Sequence, residues 1–165
     1  MVRATEFGLD LENVALLLGA QTAGSLSSNV LWGWWGDQRG KGSLLQAVAF
    51  GRAVPPVLML AAATAAHWPT PVLMGGFLVV FFLLGALANG LTIAVIGFLM
   101  EISPDDKRPS YSGYFNALTA PAYLLPLLAG VVASWMGLAV VFLIAALAAI
   151  AQAICVSRIR DPAQP

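Results

Sequence analysis

The chain has 165 residues, 59% of them hydrophobic and 10% charged, with a mean hydropathy of +0.84. A soluble domain carries roughly 25% charged residues, so this composition excludes a soluble globular domain and points to a bilayer. Eight basic residues balance eight acidic ones, which leaves no net field to recruit nucleic acid.

Apolar stretches of about 20 residues, long enough to cross the ~30 Å hydrocarbon layer as helices, recur along the whole chain. They predict five spans, at 12 to 34, 43 to 66, 72 to 102, 110 to 134 and 137 to 157. Runs such as LVVFFLLGAL do not alternate in polarity, which excludes transmembrane strands. The expected fold is therefore all-α and integral to the membrane, one transmembrane domain over residues 1–165. The opening MVRATEFGLDLEN carries Glu6, Asp10 and Glu12 without an apolar core, so it is not a signal peptide.

On the first span Gln21, Ser25, Ser28 and Asn29 form one stripe, at spacings of four, three and one. Two readings stand side by side. The stripe lines an aqueous cavity, or it packs, with Gly24 and Ser28 as a small-xxx-small contact and the amides bonded to a neighbouring helix. The next segment, GWWGDQRGKGS at 33 to 43, has the look of a phosphate cradle. It fails the test: Gly42 follows Lys41 where a hydroxyl is required, and Leu45 stands where a dinucleotide loop needs its third glycine.

The loops at 35 to 43 and 103 to 110 hold Arg39, Lys41, Lys107 and Arg108, and the tail holds Arg158 and Arg160. The opposite loops, HWPTP and SWMG, hold no lysine or arginine, so the first set is placed in the cytoplasm. Five spans that end inside begin outside. An outside N-terminus without a signal peptide calls for a preceding helix, and the chain is read as a fragment or a truncated product.

In the second span Arg52 lies about 13 Å from an interface at Ser43, where an arginine costs ~2.5–3.5 kcal/mol on insertion scales. It snorkels toward the cytoplasm, or it pairs with an acid or a substrate anion. His67 has no second histidine or cysteine beside it, so no metal site is expected. Trp32, Trp34 and Trp35 on the inside and Trp68 and Trp135 on the outside fit an aromatic belt.

The third span is 31 residues long, about 46 Å as a helix. A break at GALANG would leave two pieces too short to cross, so one long tilted helix is expected. Asn89 and Thr92 lie one turn apart on it, and Asn116, Thr119 and Tyr123 form a similar group on the fourth span. Pro121 and Pro126 are expected to kink that span, and Gly85, Gly90 and Gly130 allow close helix approach. The fifth span is apolar apart from Gln152, and faces lipid or supports its neighbours. Cys155 near its end permits no internal disulfide and reads as a small buried hydrophobe. No acid pair, clustered histidine or nucleophile beside a base is present at depth, so no enzyme, metal or cofactor is expected.

Gly33, Asp37, Arg39, Gly40 and Lys41 resemble the G-x-x-x-D-x-x-G-[RK] loop of the major facilitator superfamily (MFS). Glu101, Pro104 and Arg108 in EISPDDKR fall where that family has a second charged cluster, and LTAPAYLLPLLAG is similar to the fifth helix of a half. The resemblance covers helices two to six of one six-helix half. The tail RIRDPAQP, ending a few residues after the last span, favours the C-terminal half, helices eight to twelve. Gln38 and Gly42 stand at positions that are commonly basic, and the first helix of the half is absent.

The resemblance implies secondary active or facilitative transport of a small solute, bound near the midplane between two halves that alternate in access. The alternative is a truncated accessory or structural membrane protein without transport of its own. Implied partners are the lipid bilayer, the missing helices of the other half and an unidentified small-molecule substrate, with no nucleic acid. The implied location is a cell membrane crossed several times, a bacterial inner membrane. Gln21, Ser25, Asn29, Asn89, Thr92, Asn116, Thr119 and Tyr123 become the cavity candidates. Gly33, Asp37, Arg39, Gly40, Lys41, Glu101, Pro104 and Arg108 become the gating loops. There Asp37 is expected to meet Arg108 or a helix N-terminus of the other half, and Arg39 or Lys41 to meet Glu101.

Overall fold

The structure, a computed structural model, describes residues 11–64 and 69–158. The expectations for His67, Trp68 and Arg160 lie outside the described residues. Among the described residues seven α-helices follow one another: α1 Leu11–Arg39, α2 Lys41–Gly51, α3 Val54–Thr64, α4 Thr70–Ile102, α5 Arg108–Thr119, α6 Leu125–Met136 and α7 Leu138–Ser157. Short 3-10 turns at Asp105–Lys107 and Ala120–Leu124 join α4 to α5 and α5 to α6. There is no strand among the described residues. By length and composition these helices make five membrane-crossing segments: Glu12–Arg39, Lys41–Ala62, Thr70–Ile102, Asp105–Met136 and Leu138–Ser157.

The segment 35 to 43, expected as a loop, is mostly helix. α1 continues through Trp35 and Asp37 to Arg39, and the connection to α2 is Gly40 alone, at φ 82 and ψ 157. Polar residues mark where a helix leaves hydrocarbon and do not by themselves end it. Arg39 in the last turn complements the helix dipole, and what ends the helix is a backbone conformation that is essentially confined to glycine.

The second span is broken, which its hydropathy did not foretell. α2 stops at Gly51, where the Arg52 N–H donates to the Val48 carbonyl at 3.0 Å and the Ala53 N–H to the Phe50 carbonyl at 3.2 Å. α3 then opens with Val54, Pro55 and Pro56. Prolines carry no N–H, so the new helix start exposes fewer orphan donors to hydrocarbon.

α4 is one helix of 33 residues, about 50 Å long, and GALANG lies within it unbroken. In the fourth span Pro121 and Pro126 coincide with the interruption expected of them, each in the first turn of a new segment.

α1 packs chiefly along α4, α2 and α3 lie against α4 and α7, and α6 leans on α7. One core cluster gathers Leu44, Leu45, Val48 and Ala49 of α2 with Ala94 of α4 and Val156 of α7. A second joins Leu17 of α1 to Phe77 of α4, with Met59 of α3 against them. α7 buries Ala146, Ala149, Ala153 and Val156, a stripe with spacings of three and four. Cys155 falls off that stripe and is exposed, so its expected burial does not hold. The fourth span contributes no buried residue.

Candidate functional site

Small residues set the geometry of the α1–α4 crossing. A Cβ at Gly24 would collide with the Phe82 carbonyl, and one at Gly85 with the Gln21 carbonyl. The two backbones are therefore in contact, a proximity open only to glycine at these positions. Two turns beyond Gly24 on α1, the Trp32 indole N–H donates to the Ala86 carbonyl at 2.7 Å. The ring fits because position 90 is glycine: a Cβ there would stand 2.7 Å from Trp32 Nε1 and 2.9 Å from Val48 Cγ2. Ser28 is buried in the same crossing, and its hydroxyl donates to the Ser25 carbonyl at 3.1 Å.

The stripe on α1 thus divides between its two readings. Gly24 and Ser28 serve packing. Gln21 and Ser25 are half-buried beside them. Asn29 reaches across, and Asn89 Nδ2 donates to its Oδ1 at 2.8 Å. This bond lies on the open side of the helix pair, with Asn29 exposed. It uses one donor and one acceptor, so the Asn29 amide N–H groups, the second Asn89 N–H and the Asn89 carbonyl oxygen remain for a further partner. Thr92, one turn from Asn89, has spent its proton on the Ala88 carbonyl at 3.1 Å and offers only lone pairs.

The fourth-span candidates are not drawn into this group. Asn116 and Tyr123 are exposed, and the Thr119 hydroxyl donates to the Phe115 carbonyl at 2.8 Å. Their span packs on α7 and meets α4 at the connecting turn.

The charged end has its own order. Lys41 Nζ and Asp37 Oδ1 pair at 2.8 Å across Gly40, and the lysine is the more buried partner, 22% exposed against 74%. Its stem lies in a slot between two glycines: a Cβ at Gly36 would stand 2.9 Å from Lys41 Nζ, and one at Gly97 3.0 Å from its Cδ. Lys41 therefore clasps the end of α1 to α4. The Arg39 guanidinium lies 4.8 Å from the centre of the Trp35 ring, whose indole N–H donates to Ser43 Oγ at 3.3 Å. Arg108 pairs with Asp105 at 2.7 Å, while Gly33 is half-buried and Glu101 and Pro104 are exposed. These contacts are not the expected ones of Asp37 with Arg108 or a helix N-terminus of the other half and of Arg39 or Lys41 with Glu101, because partners four and three residues away in the sequence are reached without any movement of a helix.

The family model of the Major Facilitator Superfamily matches residues 2–165. The chain belongs to that superfamily. Neither a curated protein nor a solved structure matches it. The superfamily is one of transporters and not of enzymes, and five membrane helices fit a partial facilitator half-bundle. In this facilitator chain the residues that sequence reasoning missed are Gly36, Gly97 and the Trp32–Ala86 contact. Gly97 stands 56 positions from Lys41, and no local pattern links the two.

Proposed function

We propose that this facilitator chain takes part in moving a small solute across a cell membrane, a bacterial inner membrane, by alternating access, as helices eight to twelve of the fold. The span ends and turns bearing Arg39, Lys41, Lys107 and Arg108 face the cytoplasm in this reading. The observation that carries it is the Asn29–Asn89 pair, two carboxamides joined on the open side of α1 and α4 with bonding capacity to spare. Polar groups in hydrocarbon are retained where they line water or meet a partner. Asn116, Thr119 and Tyr123 complete the cavity when further helices close it.

The bare fourth span favours a second reading, an accessory membrane protein that transports nothing itself, since that span buries none of its residues against the other described helices. Thiol accessibility separates the two. On a Cys155→Ser background, cysteines at positions 29, 89 and 116 of the full chain in membranes should react with a water-soluble maleimide at least ten times faster than a cysteine at Leu147, on the apolar surface of α7. Rates as slow as at Leu147 for all three leave no cavity to propose.

A further inference from the structure

The hydroxyls of α1 are engaged by their own helix, with one exception. Thr22 donates to the Leu18 carbonyl at 2.9 Å, Ser27 to the Ala23 carbonyl at 2.7 Å and Ser28 to the Ser25 carbonyl at 3.1 Å, which is how a helical hydroxyl satisfies its proton locally. The Ser25 hydroxyl makes no such bond. Neither it nor the Gln21 carboxamide has a hydrogen-bond partner among the described residues, and both are half-buried. Gln21, Ser25 and Asn29 follow one another at spacings of four, so they form a column along one side of α1. Asn29 ends the column on the open side of the α1–α4 pair, where it holds Asn89. At 1.5 Å per residue the column is about 12 Å long, with rungs about 6 Å apart.

The free bonding capacity of this column is mixed. Gln21 keeps two N–H groups and a carbonyl oxygen, Ser25 keeps its O–H and lone pairs, and the asparagine pair keeps N–H groups and the Asn89 carbonyl oxygen. The column is also uncharged, since no Asp, Glu, Lys, Arg or His occurs from residue 13 to 36 or from 70 to 100. Arg52 belongs to the second span, on the side that Leu45, Val48 and Ala49 turn toward α4 and α7, and not to this column. An ion brought here would lose water without meeting a counter-charge. A carboxylate only accepts and an ammonium only donates, so each leaves part of every rung unmet. A hydroxyl does both.

We infer that the solute is uncharged and carries hydroxyls along its length, as a polyol or a sugar does, and that it lies along α1 from Gln21 to Asn29. This rests on the transport reading above and names the solute that reading leaves open. A chain with a hydroxyl on each carbon meets every rung, whereas a single planar amide meets one. Gln21 and Ser25 thereby join Asn29 and Asn89 as binding residues.

The test uses the full chain in permeabilised membranes, with Ser25→Cys on a Cys155→Ser background and a water-soluble maleimide. Sorbitol or maltose should slow modification at position 25 at least threefold and leave a cysteine at Lys107 unaffected, while glutarate and putrescine at the same concentration protect neither. Adding Gln21→Leu or Asn89→Leu should raise the half-protecting polyol concentration at least fivefold with position 25 still reactive, which shows that the chain remains folded. Asn29→Asp should gain protection by putrescine, because it supplies the missing counter-charge. A reactive thiol that neither polyol protects, or one that glutarate or putrescine protects as well, overturns this inference and leaves the transport reading standing. A thiol at position 25 as slow as one at Leu147 removes the cavity, and both readings fall together.

Discussion

Replacing Gly85 by alanine puts a methyl group where two helix backbones already touch. The new Cβ would stand 2.7 Å from the Gln21 carbonyl carbon and 3.1 Å from its Cα, against 3.4–4 Å for ordinary contact. The obstacle is backbone and cannot rotate away, so α1 and α4 must part by roughly 1 Å, and overpacking of this kind costs ~1–3 kcal/mol. The same movement stretches the 2.7 Å Trp32–Ala86 and 2.8 Å Asn89–Asn29 bonds beyond useful range, which adds ~0.6 kcal/mol for each interhelical bond lost. Alanine returns up to ~1 kcal/mol as the better helix former. The expected net loss is about 1–3 kcal/mol, or roughly 5- to 150-fold in the unfolding equilibrium. Equilibrium unfolding in mixed micelles measures it. Gly19→Ala and Gly75→Ala are the controls, on the same two helices at sites where a Cβ meets nothing within 4 Å. A Gly85→Ala chain within ~0.5 kcal/mol of Gly75→Ala, the ordinary scatter of neutral substitutions, would refute the close crossing.

Gly40→Ala should cost ~1–3 kcal/mol in the same assay, because φ 82 with ψ 157 is a glycine conformation. Gly40→Asn should do no better, since asparagine tolerates the left-handed helical region and not this one; a rescue by Asn would place the turn elsewhere. Cysteines at Thr70 and Lys107, on a Cys155→Ser background, should be labelled by impermeant reagent from opposite sides of the membrane, with position 70 outside. Labelling from one side would mean that Thr70–Ile102 does not cross as a single helix.

The membrane helices were legible because each rests on some twenty apolar residues, a signal that one turn or kink does not erase. The Pro121 interruption was legible for the same local reason, a missing donor. The break at Gly51–Ala53 was not, since hydropathy averaged over a span takes no account of where α2 ends, and Pro55 and Pro56 read as apolar. The polar stripe on α1 was visible, but not its division: whether Ser28 or Asn29 turns inward depends on where Gly85 lets α4 approach. The charged segment was misjudged in form because Asp37 and Arg39 mark a boundary of solvent and not of secondary structure. Its partner, the slot at Gly97, belongs to a contact across two spans.

The second span has a further consequence, for how the chain enters the membrane. With an arginine at its centre and two prolines after it, this segment is a poor candidate for release from the translocation machinery into lipid by itself. The segment that follows it during synthesis, α4, is strongly apolar and free of charge from Thr70 to Met100, and it is also the helix against which α2 and α3 lie. Joined by a short connection, the two are expected to leave as a hairpin, with the later helix carrying the earlier one across. The packing at Leu44, Val48 and Ala94 would then have a role in biogenesis as well as in the finished fold, and a ribosome stalled before α4 emerges would hold a second span not yet committed to the bilayer.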